Sequence, residues 1–172
     1  MFNLSDKIAV VTGGSRGIGK SICLKMAERG ANIAIVYSSD DKTALETEKE
    51  ISQFGHEVKI YKCDVSQDSE VKNLITQIIN KFKKIDILVN NAGIRDDKLA
   101  FNMDYNCFNK IIQTNLIGTF NMIHHSYLNF IKNNYGRIIN ISSTVGINGN
   151  IGQSNYAASK AGIIGLSKSI AK

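Results

Sequence analysis

Apolar residues in this chain follow two rhythms. Short, nearly unbroken apolar runs alternate with longer stretches in which apolar positions recur every three or four residues. The runs predict strands covered on both faces, and the helical period predicts the helices that cover them. Strands are expected at Lys7 to Val11, Asn32 to Tyr37, Glu57 to Cys63, Ile85 to Val89 and Gly136 to Ser143. In the third of these, Val58, Ile60 and Tyr61 supply the apolar surface. A first helix is expected from Ile18 to Arg29, with Ile18, Ile22 and Met26 as its buried stripe and Gly30 as C-cap. A second runs from Asp41 to Phe54 and closes at Gly55. A third carries Val71, Leu74, Ile75, Ile78, Ile79 and Phe82, with Lys81, Lys83 and Lys84 at its basic end. A long helix is expected from Tyr105 to Asn133, loosened locally by Gly118, and a last one after the loop at 144–153. Residues 94–104 read as a loop beside a cleft, with Arg95 and Asp96 or Asp97 structural. There is no repeat, linker or low-complexity tract. The pattern predicts one α/β domain over residues 1–172, a doubly wound parallel sheet with helices on both faces and right-handed crossovers.

Candidate chemistry sits where these elements meet. Thr12-Gly13-Gly14-Ser15-Arg16-Gly17-Ile18-Gly19 joins the first strand to the first helix. A glycine turn there presents backbone N–H groups and a helix N-terminus to a pyrophosphate, although such a loop can be only a tight turn. Asn90-Asn91-Ala92-Gly93 follows the fourth strand at the edge where open parallel sheets bind ligands, and its small residues let a cofactor approach the backbone. Tyr156 and Lys160 lie four residues apart, on one face of a helix. An ammonium group beside a phenol favours the phenolate, which suits the phenol to acid–base work near neutral pH. Ser143, thirteen residues upstream of Tyr156, offers a hydroxyl to the same substrate oxygen. Each motif alone is weak; the combination is not an accident of composition.

With these motifs the chain resembles the short-chain dehydrogenase/reductase family over its whole length. Within it the chain is most similar to 3-oxoacyl-acyl-carrier-protein reductases and acetoacetyl-CoA reductases. The resemblance implies a Rossmann-type fold. It implies that Tyr156 donates a proton, that Ser143 holds the substrate oxygen, that Lys160 assists Tyr156 and binds the nicotinamide ribose, and that Asn115 completes a proton relay through a water on its backbone. It implies a cofactor site built from Thr12, Gly13, Ser15, Arg16, Gly17, Ile18, Gly19, Ser38, Asp64, Val65, Asn91, Ala92 and Gly93, with Tyr156 and Lys160. Asp64 would accept from the adenine amino group; the other reading is that Asp64 and Ser66 cap the next helix. Family members usually continue past the helix that carries Lys160. The C-terminal strands and substrate lid are therefore expected to be missing, and a nucleotide-binding fragment without activity stands as an alternative.

The end of the second strand bears on cofactor choice. Enzymes that select NAD in this architecture commonly place an acid there for the ribose 2′-hydroxyl. Here the sequence is Tyr37-Ser38-Ser39. Arg16 supplies a fork-shaped cation that matches phosphate. Arg16 and Ser38 also match family positions that hold the 2′-phosphate, so NADP(H) is expected. Asp40 has two readings: it reaches the ribose, or with Asp41 it places charge at the start of the next helix. The substrate implied is an acyl-carrier-protein or CoA thioester. The alternative is another small carbonyl compound such as a sugar, a polyol or a steroid-like ring. Asn134 stands where a basic residue usually docks the carrier protein, which counts against that partner.

Composition excludes more than it adds. The chain is basic, with formal net charge +6, but its lysines are scattered along helix faces rather than gathered into a nucleic-acid stripe. No apolar run has the ~20 residues of a membrane helix, and the N-terminal stretch from Met1 has no signal-peptide pattern. Cys23, Cys63 and Cys107 are far apart and form neither a disulfide framework nor a metal cluster, which fits a reducing, cytoplasmic setting. His56, His124 and His125 lack ligand spacing, so no metal is expected. A homo-oligomer, dimer or tetramer, is expected from the resemblance, with the helices at 105–133 and 155–170 at its interface.

Overall fold

A computed structural model describes residues 3–172; residues 1 and 2, part of the stretch read for a signal peptide, lie outside the described residues. Five strands form one parallel sheet in the order β3-β2-β1-β4-β5. They are β1 (Ile8–Thr12), β2 (Asn32–Tyr37), β3 (Val58–Lys62), β4 (Ile87–Asn90) and β5 (Arg137–Asn140). Chain order moves outward from β1 to β3, then returns to the other side of β1 for β4 and β5. The crevice between the C-terminal ends of β1 and β4 is thus the switch point at which such sheets bind ligands.

The unbroken apolar runs are explained by cover on both faces. Alternate residues of β1 divide between two cores. Ile8 and Val10 join Val36, Leu88, Val71, Ile78 and Met122 under helices α3 (Asp68–Phe82) and α5 (Gly118–Lys132). Ala9 and Val11 join Ile33, Ile35, Val89, Cys23 and Ile51 under α1 (Gly17–Ala27) and α2 (Asp41–Ser52). The register from Ile8↔Asn32 to Thr12↔Val36 keeps the two sets in line across the sheet. Asp86 is buried just before β4, where its carboxylate accepts from the Ile8 amide at 2.9 Å and lies 3.1 Å from Lys84 Nζ. A hydrogen-bonded and partly neutralised acid there pins the start of β1 to the start of β4.

Helix α1 departs from the expected stripe. Ile18 is 66% exposed, while Gly19, Cys23 and Ala27 are buried. The reason is close approach: a Cβ on Gly19 would collide with the Gly13 carbonyl and lie 2.6 Å from Asn91 Nδ2. Only a row of small residues lets α1 lie this near the glycine turn. Ile22 and Met26 take the flank of that contact. Burial pushes the Cys23 thiol up to about 12, so it behaves as a small apolar side chain.

The long helix expected from Tyr105 to Asn133 is not continuous. It comprises α4 (Tyr105–Ile112), a π-helical turn over Gln113–Ile117, and α5. Gly118, expected to loosen the helix, instead admits its neighbour: a Cβ there would stand 2.6 Å from Val65 Cγ2. Ser66, expected as a helix cap, donates to the Asp64 carboxylate at 2.8 Å, and the N-cap of α3 is Gln67. The last strand is shorter than expected, so Ser143 lies beyond it in the connection to α6 (Val145–Asn148) and α7 (Ser154–Ile170). No helix among the described residues is long and apolar enough to cross a membrane.

Candidate active site

Two arrangements meet at the C-terminal edge of the sheet. The first is an open cleft of about 340 Å³ across the ends of β1, β2 and β4. Gly13, Ser15, Arg16, Ile18, Ser38, Asp64, Val65, Asn91, Ala92 and Gly93 all line it. Of the expected cofactor residues, Thr12, Gly17, Gly19, Tyr156 and Lys160 do not line it; the first three support it from behind. The Thr12 hydroxyl accepts from the amides of Asn91 (3.0 Å) and Ala92 (2.9 Å). Asn91 Nδ2 donates back to the Thr12 carbonyl at 2.9 Å. These bonds fasten the two loops of the switch point together. Gly17 takes φ +54°, which turns the chain into α1. Among the described residues no side chain caps α1, which leaves its first amides to an anion.

Charge in the cleft is asymmetric. Arg16 forms no ion pair among the described residues. Asp40 is occupied as the N-cap of α2: it accepts from the Thr43 amide at 3.0 Å and the Thr43 hydroxyl at 2.6 Å. Those bonds, with the more distant Arg16, hold its carboxyl below the usual range. Asp41 pairs with Lys62 at 2.9 Å. Asp41 therefore follows the helix-start reading; Asp40 caps α2 and also lines the cleft, so both of its readings stand. Asp64 keeps one carboxylate oxygen free of the Ser66 bonds. Val36, Tyr37, Ser39, Cys63, Ile94 and Thr114 also line the cleft. Sequence reasoning passed over them, although Tyr37 and Cys63 stand at strand ends, where the topology alone could have flagged them.

The second arrangement gathers Asn115, Tyr156 and Lys160 beside Gly93. A Cβ on Gly93 would stand 3.3 Å from Asn115 Oδ1 and 3.8 Å from Lys160 Nζ. Asn115 is fully buried; its side chain bonds the amide and carbonyl of Ile94 at 2.8 and 3.1 Å. It also donates to Ser159 Oγ at 3.1 Å, and Ser159 donates to the Tyr156 carbonyl at 2.8 Å. The π-turn places Asn115 there, a common use of such turns. Lys160 is 4% exposed and donates to the Ile141 carbonyl at 2.7 Å. Burial pushes its pKa below the ordinary lysine value. Its Nζ stands 5.6 Å from the centre of the half-buried Tyr156 ring. Ser143 Oγ accepts from the Val145 amide at 3.2 Å, which leaves its proton free to donate. Tight packing fixes α7: a Cβ on Gly146 or Gly162 would come within 2.7 Å of Lys160 or Leu116.

The sequence model of the short chain dehydrogenase family matches residues 7–172. The chain belongs to that family. Among short-chain dehydrogenase relatives, the 3-oxoacyl-acyl-carrier-protein reductase of Staphylococcus epidermidis is 42% identical over 97% of this chain and 68% of its own length. That of Staphylococcus aureus is 43% identical over 96% and 68%, and that of Aquifex aeolicus 38% over 98% and 68%. The crystal structure of an NAD⁺-bound xylitol dehydrogenase superposes with a TM-score of 0.94 at 29% identity. The chain spans 64% of that structure's length. Family membership implies a nicotinamide dinucleotide. The cleft fits one by its own features: an anion-ready helix start, an unpaired arginine and a floor of glycine and alanine.

Proposed function

We propose that the chain reduces a 3-oxoacyl thioester, on acyl carrier protein or CoA, to the 3-hydroxyacyl thioester with NADPH, in a cytoplasmic setting. The observation that carries the cofactor choice is Arg16 lining the cleft with no ion pair among the described residues, while Asp40, which lines the same cleft, is held by Thr43 as the cap of α2. Arg16 and Ser38 would hold the 2′-phosphate, the α1 amides the pyrophosphate, and Asp64 and Val65 the adenine. The substrate choice is supported by the reductases that share about two fifths of their residues with this chain.

When bound, the nicotinamide supplies a hydride. Tyr156 gives its hydroxyl proton to the oxygen of the substrate carbonyl as charge develops there. Ser143 donates a hydrogen bond to that oxygen. Lys160, as an ammonium, offsets the phenolate that Tyr156 becomes and holds the ribose hydroxyls. The Asn115 carbonyl accepts from Thr119 Oγ1 at 2.7 Å, and a water held at that carbonyl would return the proton. A homo-oligomer is part of the proposal, supported by exposed Phe120, Leu128 and Ile131 on the outer face of α5.

A second reading, oxidoreduction of a polyol with NAD, is favoured by the close superposition on the xylitol dehydrogenase. A fluorescence titration with NADPH and with NADH separates the two. NADPH is expected to bind more tightly. Arg16→Ala should weaken NADPH by roughly 10- to 100-fold, the ~1.5–3 kcal/mol of a charged hydrogen bond, and leave NADH nearly unchanged. Tighter NADH binding would overturn the NADPH assignment and favour the polyol reading.

A further inference from the structure

The loop after β4 runs beside the segment that enters α7, and three of its consecutive residues are tied to it in turn. The Lys98 amide donates to the Gly152 carbonyl at 2.8 Å. Gln153 Nε2 donates to Asp97 Oδ2 at 2.8 Å. Asn155 Nδ2 donates to the Asp96 carbonyl at 3.0 Å. Gln153 and Asn155 are 4% and 0% exposed. The start of α4 closes the arrangement. The Cys107 thiol donates to Asp96 Oδ2 at 3.2 Å, and its sulfur lies 3.7 Å from Asn155 Nδ2. Finally, Asn155 Oδ1 accepts from the Tyr156 amide at 2.7 Å.

Asn155 thus bonds the loop, α4 and the backbone of Tyr156 with one side chain. Burying a primary amide is costly unless its groups are satisfied, and an apolar residue would fill the same space without that demand. The location matters more than the number of bonds. Tyr156 is the third residue of α7, and the N-cap Gln153 makes no side-chain cap bond. First turns with orphan amides fray. The tyrosine that needs fixed geometry therefore sits in the least secure part of its helix.

The geometry points to Asn155 as a positioning residue for Tyr156, acting through a brace formed by Asp96, Asp97 and Lys98. The inference rests on the reductase reading, because what is positioned is that reading's proton donor. Loosening the brace lets the first turn of α7 move relative to Asn115 and Lys160. A misplacement of about 1 Å costs roughly 10²-fold in rate. Asn155 does not line the cofactor cleft, so any change in nucleotide affinity is expected to be small beside the change in kcat.

The experiment compares the full chain with Asn155→Ala, Asn155→Asp and Asp97→Ala, using NADPH and acetoacetyl-CoA as probes. Tyrosine Cζ is labelled with carbon-13, and the Tyr156 resonance is assigned by its loss in Tyr156→Phe. Asn155→Ala should lower kcat by about 10²-fold with KM and NADPH affinity within about twofold, and should shift or broaden the Tyr156 resonance. Asn155→Asp, which keeps the acceptor but loses the donor to Asp96, should fall with it. If Asn155→Ala does not fold, Asp97→Ala carries the test, since it removes only the exposed partner of Gln153; it should lower kcat several-fold and move the same resonance. An unmoved resonance with near wild-type kcat overturns the inference. So does a loss of kcat, NADPH binding and cooperative melting together, the mark of a residue that only holds the fold. A wild-type chain that turns over nothing but loses its Tyr156 resonance position in Asn155→Ala would overturn the reductase reading and keep the positioning role.

Discussion

At the residue scale, the site divides its work between groups that meet water and groups that do not. Tyr156 is half-buried and Ser143 keeps a free donor, while Lys160 and Asn115 are enclosed. A buried ammonium with one carbonyl partner among the described residues destabilises the fold unless something gains from its charge, and in the proposed reaction the oxygen that Tyr156 leaves bare on giving up its proton is what gains. Removing the phenol hydroxyl should therefore cost chemistry and little else. Tyr156→Phe is expected to lower turnover of acetoacetyl-CoA by at least about 10³-fold, of the order that losing a general acid allows, with NADPH affinity and melting temperature close to wild type. Turnover within tenfold of wild type in a steady-state assay would remove Tyr156 from the role of proton donor. The placement of Tyr156, Lys160 and the glycine turn was legible in spacing, a pair one helical turn apart and a glycine turn after a strand, whereas Asn115 was expected only from the family resemblance. Cys107 and Gln153 were not legible. Their importance comes from which loop folds against them, and no local pattern carries that.

At the scale of elements, the strands and their covering helices followed from periodicity, because burial on both faces leaves an unbroken apolar run that polar loops interrupt. Two features did not follow. The π-turn at Gln113–Ile117 adds a residue to the helical turn without breaking the apolar pattern around it. The stripe of α1 was read from its largest apolar residues, whereas distance of approach selects the smallest. Ile18, freed from the core, lines the cleft instead. The close approach makes Gly19 a sensitive point. A methyl group there collides with the Gly13 backbone and the Asn91 side chain, and backbone cannot yield as a flexible side chain can. Gly19→Ala is expected to cost about 1–3 kcal/mol in a denaturant melt, the range for overpacking, and to weaken NADPH by displacing the start of α1. A variant as stable as wild type would show that α1 can retreat without loss, against the tight packing described here.

At the scale of the molecule, the sheet is well protected on one edge and open on the other. β3 carries exposed Lys59 and Lys62, which oppose edge-to-edge pairing. β5 pairs with β4 on one side only. Ile139 is 42% exposed on one face of β5, and on the opposite face a groove is lined by Tyr127, Phe130, Ile131, Tyr135, Ile138 and Ile170. Unpaired backbone groups next to apolar side chains are a template for another strand. A charge on the edge should discourage pairing while leaving the interior untouched. Ile139→Lys is expected to reduce concentration-dependent light scattering and shift the chain toward monomer in sedimentation. Stability should change by no more than about 0.5 kcal/mol, as for a surface site. If scattering is unchanged while Leu128→Lys on α5 abolishes it, association runs through the helix face and the β5 edge is not the sticky surface. If neither substitution changes it, the exposed apolar faces named here do not drive association at all.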